Sequence, residues 1–283
     1  MPLVSFDRSS SAPIWRSHHQ KLRSTRMIGG SKSLSVVSPQ VRSPDALDGL
    51  ARMVFRLRSF TPLPVLVATV VLCWRQHIFP GPGGETVDAA LDVVGVALGL
   101  TGSAVRFSTA GFEPALRGQS KRFSPAALRT RGLYQLLRHP RYLGNALITS
   151  GLLLIINRPL AYLLVGAAFV LEYGLIIRAE ERALREKFPS DWARWAAGVP
   201  SFWPRWAALP QLASQPFDWR AAVRKEVNPL VAWGLTALAL LSWEWWVREL
   251  LTASRWTTVQ VIAGGLLGLL VANKVWRRVQ HVP

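Results

Sequence analysis

The sequence predicts an all-α fold: a polytopic membrane bundle of about six transmembrane helices, with both termini in the cytoplasm. Three observations predict it. Half of the 283 residues are hydrophobic while only 18% are charged. Apolar stretches close to the roughly 20 residues that a helix needs to cross a bilayer recur along the chain. The formal net charge is nevertheless +18, and its Lys and Arg residues are gathered into alternate loops, as happens when basic residues stay on the cytoplasmic side. A basic protein of this size can also be a nucleic-acid binder. Here topology accounts for the charge, and no nucleic-acid partner is expected.

Residues 1–52 are Ser-rich and basic with no sustained apolar period, which predicts a disordered extension. They lack the apolar core and small-residue cleavage site of a signal peptide, and Met27 and Met53 are alternative starts. Leu47, Leu50, Val54 and Leu57 recur at helical spacing among Arg52, Arg56 and Arg58. That pattern suits a short helix on an anionic membrane surface, or an ordinary packing helix. Apolar segments follow at 60–78, 88–107, 143–157, 159–177, 228–247 and 256–275. The second contains Asp88 and Asp92, the third is short, and Gly95 with Gly99 forms a GxxxG pair fit for close helix packing. The one cysteine, Cys73, lies in an apolar run and reads as a small buried side chain. A single cysteine excludes an intramolecular disulfide and a zinc cluster, and no metal site is expected.

The loops set the orientation. The N-terminal stretch, the 108–142 loop, the 178–227 segment and the tail with Lys274, Arg277 and Arg278 hold most of the basic residues. The 79–87 loop, FPGPGGETV, holds none, and the hairpin at 158 holds only Arg158. Trp243, Trp245, Trp246, Trp256 and Trp276 stand at span ends, where an aromatic belt belongs. The chain then divides into the 1–52 extension, two spans over 53–110, a core with a helical hairpin over 111–206, and a linker with two further spans over 207–283. The expected location is the inner or cell membrane.

Two motifs carry chemistry. The first is GLYQLLRHPRYLG at 132–144. His139 precedes a proline and is biased away from helix, whereas Pro140 suits a first helical position, so a span starts here. A helix start with unpaired N–H groups attracts an anionic group, and Tyr134, Arg138, His139 and Tyr142 add donors around it. Basic and aromatic residues also commonly anchor a helix at the lipid headgroups. The second motif is RAEERALREKF at 178–188, followed by DWARWAAGVPSFWP. Glu180 and Glu181 point about 100° apart on a helix, so one can pair with Arg185 while the other faces His139 and Pro140. Donors together with an acidic group fit a cofactor that bears a carboxylate, an ammonium, ribose hydroxyls and a sulfonium. S-adenosylmethionine has all four.

In combination the motifs are far more specific. Gly-x-Tyr, Arg-His-Pro-x-Tyr-x-Gly, a hydrophobic hairpin, Glu-Glu-x-x-Leu, then Val-Pro and a second Pro resemble the isoprenylcysteine carboxyl methyltransferase family and its phospholipid-methyltransferase-like relatives. The likeness covers about residues 119–206. It implies a site for S-adenosyl-L-methionine at the cytoplasmic face, built from Gln119, Tyr134, His139, Pro140, Arg141, Tyr142, Glu180 and Glu181. It also implies methyl transfer to a small or amphiphilic acceptor in contact with membrane lipid. Glu172, inside the fourth span, is a carboxylate where ionisable residues are functional by default. With Arg138 and Arg178 it forms the expected catalytic set, with Arg106 or Arg138 as its partner or a cationic substrate as its contact. No general base is required if the nucleophile is a carboxylate.

Three departures bear on the acceptor. Members that methylate prenylcysteine usually carry an Arg four residues before the first Glu, and here that position is Ile176. Arg178 is roughly 200° away around a helix. The usual Phe-Gly is Phe188-Pro189, and a later tyrosine pair reads Trp192 and Trp195. Two rival classes are an NADPH-dependent membrane reductase of the sterol-reductase type, which shares an Arg-His-x-x-Tyr element, and a transporter using Asp88, Asp92 and Glu172. Val199-Pro200 after the Glu pair favours the methyltransferase, and the lack of an internal repeat weakens the transporter.

Overall fold

A computed structural model describes residues 84–113 and 128–279, together with Met53, 67–69 and 71–72. The expected 1–52 extension and nearly all of the expected surface helix lie outside the described residues, as do Cys73, Gln119 and most of the first span, though 67–69 and 71–72 are helical. Among the described residues the elements are α1 (Gly84–Phe112), α2 (Pro140–Ile156), α3 (Pro159–Lys187), α4 (Pro189–Gly198), α5 (Trp219–Val247) and α6 (Ala253–Val279). Short 3₁₀ turns lie at Gly132–Gln135 and Trp206–Leu212, and no strand is present among the described residues. Among the described residues four helices, α1, α3, α5 and α6, are long and apolar enough to cross a membrane. The expected third span, α2, is a helix of only 17 residues.

Small residues let α1 and α2 touch. A Cβ on Gly95 would sit 2.6 Å from the Gly151 carbonyl oxygen, and one on Gly102 would sit 2.5 Å from that of Gly144. Two backbones this close exclude any side chain between them, so both faces must be glycine. Gly99 serves a different neighbour, the indole of Trp233 on α5. That indole donates from Nε1 to the Ser103 hydroxyl at 2.5 Å. The core lies where these helices meet the α2–α3 hairpin, around Leu153, Ile155, Ile156, Ala161, Trp233, Ala237 and Leu240.

The hairpin turns in two residues. Asn157 caps α2 in the left-handed region at φ 42° and Pro159 opens α3 at its first turn. Asparagine tolerates that conformation, and proline cannot continue α2 but starts α3 well. A buried polar network surrounds the turn: Asn157 Nδ2 donates to Asp88 at 2.6 Å, Arg248 contacts Asp88 and lies 2.9 Å from Glu244, and the Arg158 guanidinium lies over the Trp243 ring. Asp88 is therefore held in place at the end of the bundle opposite the RHP motif. α6 packs on α5, and its one buried residue, Asn273, donates to Asn228 at 3.3 Å.

Candidate active site

The segment between α1 and α2 is pinned before it reaches the RHP motif. Gly132 has φ +65°, and a Cβ there would lie 2.5 Å from that of Phe112, so this turn needs glycine. Its amide donates to Gln215 at 2.8 Å. Leu136 and Leu137 are buried with Ala208, and the Arg138 amide donates to the Pro200 carbonyl at 2.8 Å while the Arg205 amide donates to that of Leu136 at 2.9 Å. The Val-Pro element thus clamps the RHP motif through the main chain.

α2 begins at Pro140 as the sequence predicts. The amides of Tyr142 and Leu143 both bond the His139 carbonyl, at 3.1 and 3.0 Å. The free N–H donors expected at this helix start are thus partly used, and side chains supply most of the charge. Glu181 gathers them: its Oε1 lies 2.8 Å from Arg138, 3.0 Å from His139 Nε2 and 3.3 Å from the Ser201 hydroxyl. These contacts take the place of the i,i+4 pair with Arg185. Glu180 faces a separate donor, accepting from the Tyr142 hydroxyl at 2.8 Å. His139 and Tyr142 stack with their ring planes 15° apart. Trp192 lies beneath the Arg138 guanidinium, and the Trp195 indole donates to the Tyr134 carbonyl at 3.1 Å. The tryptophans that stand where the resemblance has tyrosines therefore brace the motif.

A second centre forms around Glu113, a residue that sequence reasoning missed. Its carboxylate lies 2.7 Å from Arg129, 3.2 Å from Arg141 and 2.9 Å from Lys225, and it accepts from the Tyr134 hydroxyl at 3.2 Å. Burial works against its charge, but Arg141, Arg129 and Lys225 prevail and hold its carboxyl below the usual range. Burial, with the Glu113 charge beside it, pushes the Tyr134 phenol up to about 12. Next to this centre, buried Glu226 pairs with Arg106 at 2.8 Å and lies 3.9 Å from Arg141. A chain of contacts leads back to the first centre. Arg106 donates to Asn145, Asn145 donates to the Tyr173 hydroxyl, the Tyr173 ring meets that of Tyr142 edge-on, and Tyr142 reaches Glu180.

The residues singled out in the sequence thus fall into two linked groups. Arg138, His139, Tyr142, Glu180 and Glu181 form one, with Pro140 at its base; Tyr134 and Arg141 belong to the other. Glu172 is half-buried on α3 next to Tyr173, while the guanidiniums of Arg106 and Arg138 are engaged by Glu226 and Glu181. Arg178 is exposed and takes no part in these hydrogen bonds or ion pairs. Ile176 is fully buried and leaves no polar group at the position where the resemblance has a carboxylate-binding Arg. Among the described residues, two buried atoms here have no hydrogen-bond partner, Gln135 Oε1 and Arg138 Nε. One is an acceptor and the other a donor, three residues apart on one segment. A lone Glu at the end of an apolar span, such as Glu113, was the only signal that pointed to the second centre.

Residues 91–191 match the family model described as phospholipid methyltransferase. The match starts upstream of the likeness read at 119–206, takes in most of α1 with all of α2 and α3, and stops at the start of α4. No curated protein and no solved structure matches the chain. The likeness to the phospholipid methyltransferase family thus extends over residues 91–191, 101 of the chain's 283 residues.

Proposed function

We propose that the protein is an integral-membrane, S-adenosylmethionine-dependent methyltransferase whose site faces the cytoplasm and whose acceptor is an amphiphile. The observation that carries the cofactor is the pair of unsatisfied buried atoms, Gln135 Oε1 and Arg138 Nε, the second on the side chain that pairs with Glu181. Buried polar atoms are rarely left unpaired, so an orphaned acceptor and donor on one segment favour a ligand with both an ammonium and a carboxylate. Gln135 and Glu180 would receive the ammonium or the ribose hydroxyls, and Arg138 would receive the carboxylate. The stacked His139 and Tyr142 rings offer an aromatic surface to the adenine, with Tyr134, Pro140, Arg141, Glu181 and Gln119 completing the set that the family likeness implies.

When bound, the cofactor supplies a methyl group made electrophilic by a sulfonium sulfur. The chain's own work is to hold cofactor and acceptor in line and to exclude water. Arg138, fixed between Glu181 and Trp192, keeps one end of the cofactor from rotating. Glu172 and Arg178, on the same helix as the Glu pair, are assigned to the acceptor side. Basic loops on the same side as the RHP motif support a cytoplasmic site with both termini inside.

The test is ligand-dependent thermal stability of the purified full chain, since a ligand that binds only the folded state raises apparent stability. S-adenosylmethionine or its demethylated product should raise the midpoint of the wild type. His139→Ala and Glu180→Ala should lose the shift, and Gln135→Leu should weaken it. Equal shifts in all four proteins, or a shift with NADPH alone, would refute the assignment.

A further inference from the structure

Between α1 and α5 lies a cavity of about 240 Å³. Leu100, Ala104 and Phe107 of α1 and Val227 and Leu230 of α5 form its apolar walls. The Ser103 hydroxyl on its lining is already engaged, donating to the Gly99 carbonyl and accepting from Trp233. One end is different. Arg106 and Glu226 line it there, paired at 2.8 Å. Around that end, Arg106, Arg129, Arg141 and Lys225 stand against Glu113 and Glu226, an excess of two positive charges. The same end joins the proposed cofactor site through Asn145, Tyr173 and Tyr142.

We propose that this groove holds the apolar chain of the acceptor, and that its cationic end receives an anionic group on the acceptor's head. Calling the occupant an acceptor rests on the methyltransferase reading; the groove as an amphiphile site does not. Glu226, Val227 and Leu230 of the groove come from α5, which lies outside the matched residues 91–191. Volume, apolar walls and charge agree on one occupant: a single hydrocarbon chain running towards Arg106, with its anionic head among the arginines. Glu226 then acts as a positioning residue. It holds Arg106 at the mouth and leaves Arg141 and Lys225 to meet the head.

The probe is a dodecyl phosphate carrying a diazirine near its chain terminus, applied to the full chain in lipid nanodiscs, with labelled peptides read by mass spectrometry. Label should concentrate in 100–107 and 227–230. Unlabelled dodecyl phosphate should compete about tenfold better than dodecyltrimethylammonium, the ratio expected from a charge-assisted contact of about 1.5 kcal/mol. Ala104→Trp, which fills the groove, should lose most of the label while keeping the thermal shift with S-adenosylmethionine. Should that variant not fold, Leu230→Phe and competition on the wild type give the same reading. Label spread evenly over the outer faces of α3 and α6, with no saturable competition, would mean annular lipid and overturn the proposal. Equal competition by the cationic amphiphile would overturn the anionic head. Saturable label in the groove without any S-adenosylmethionine shift would keep the amphiphile site and refute the methyltransferase reading instead.

Discussion

Glu113 joins four stretches of chain: the segment at Arg129, the 3₁₀ turn at Tyr134, α2 through Arg141 and α5 through Lys225. Its carboxylate is 6% exposed while the three cations are a third or more exposed. Removing its charge leaves those cations facing each other, partly screened by water. Glu113→Gln should therefore cost on the order of 2 kcal/mol, between the exposed and buried limits for ion pairs, measured as a lower thermal midpoint. The pH dependence has a definite sign. The folded pKa lies below the ordinary 4.5, so the carboxylate binds protons less readily in the folded state than in the unfolded state. The stability it contributes is present above about pH 4.5 and lost as pH falls from there through the folded pKa. In Glu113→Gln that acid-side loss should shrink, and an unchanged acid limb would show that the centre does not hold these segments together. The sequence displayed this residue without its meaning. Arg138, His139 and the Glu pair stood out because their spacing is a pattern, whereas the partners of Glu113 come from positions 129, 134, 141 and 225, which only folding brings together.

Helix contacts depend on what a glycine leaves open. A Cβ on Gly151 would lie 2.3 Å from the Gly95 carbonyl oxygen, and a backbone atom cannot swing aside as a side-chain tip can. Gly151→Ala should push α2 from α1 and cost about 1–3 kcal/mol by overpacking. Gly166 on α3 has nothing within 4 Å of an added Cβ, so Gly166→Ala should be neutral or stabilising by up to about 1 kcal/mol through helix propensity. Comparing the thermal midpoints of the two variants checks both, and equal effects would discard the packing argument. The Gly95–Gly99 pair was legible as a packing face, but its partners were not: Gly95 meets α2 and Gly99 meets Trp233 on α5. Helix ends show a similar divide. Pro140 announced the start of α2 through local backbone chemistry. α5 starts at Trp219 rather than near 228, because Asp218 caps it by accepting from the Ala221 amide and its first turns are polar. Hydropathy registers only the membrane-length apolar part of such a helix.

On the scale of the whole molecule, the clusters of ion pairs among the described residues fall at the two ends of the bundle. The Glu113 and Glu181 centres sit at one, and the Asp88, Glu244 and Arg248 network at the other. Reporter fusions should place residues 200 and 283 in the cytoplasm and residue 158 on the opposite side. A cytoplasmic reporter at 158 would invert the bundle and remove the proposed cytoplasmic site. The unequal helix lengths carry a further consequence. α2 has 17 residues, about 25 Å of helix, whereas the 29 residues of α1 make about 43 Å and a hydrocarbon core is about 30 Å thick. Were its hairpin end at Asn157 set at one boundary of such a core, α2 would stop short of the other, leaving the Pro140 end recessed below the phosphates. Such a mismatch is relieved by local thinning of the leaflet. A lipid passing this dimple would bring its head to Arg106 and His139 while its tail stayed in the membrane, so thicker bilayers, which resist the dimple, should slow turnover without weakening cofactor binding.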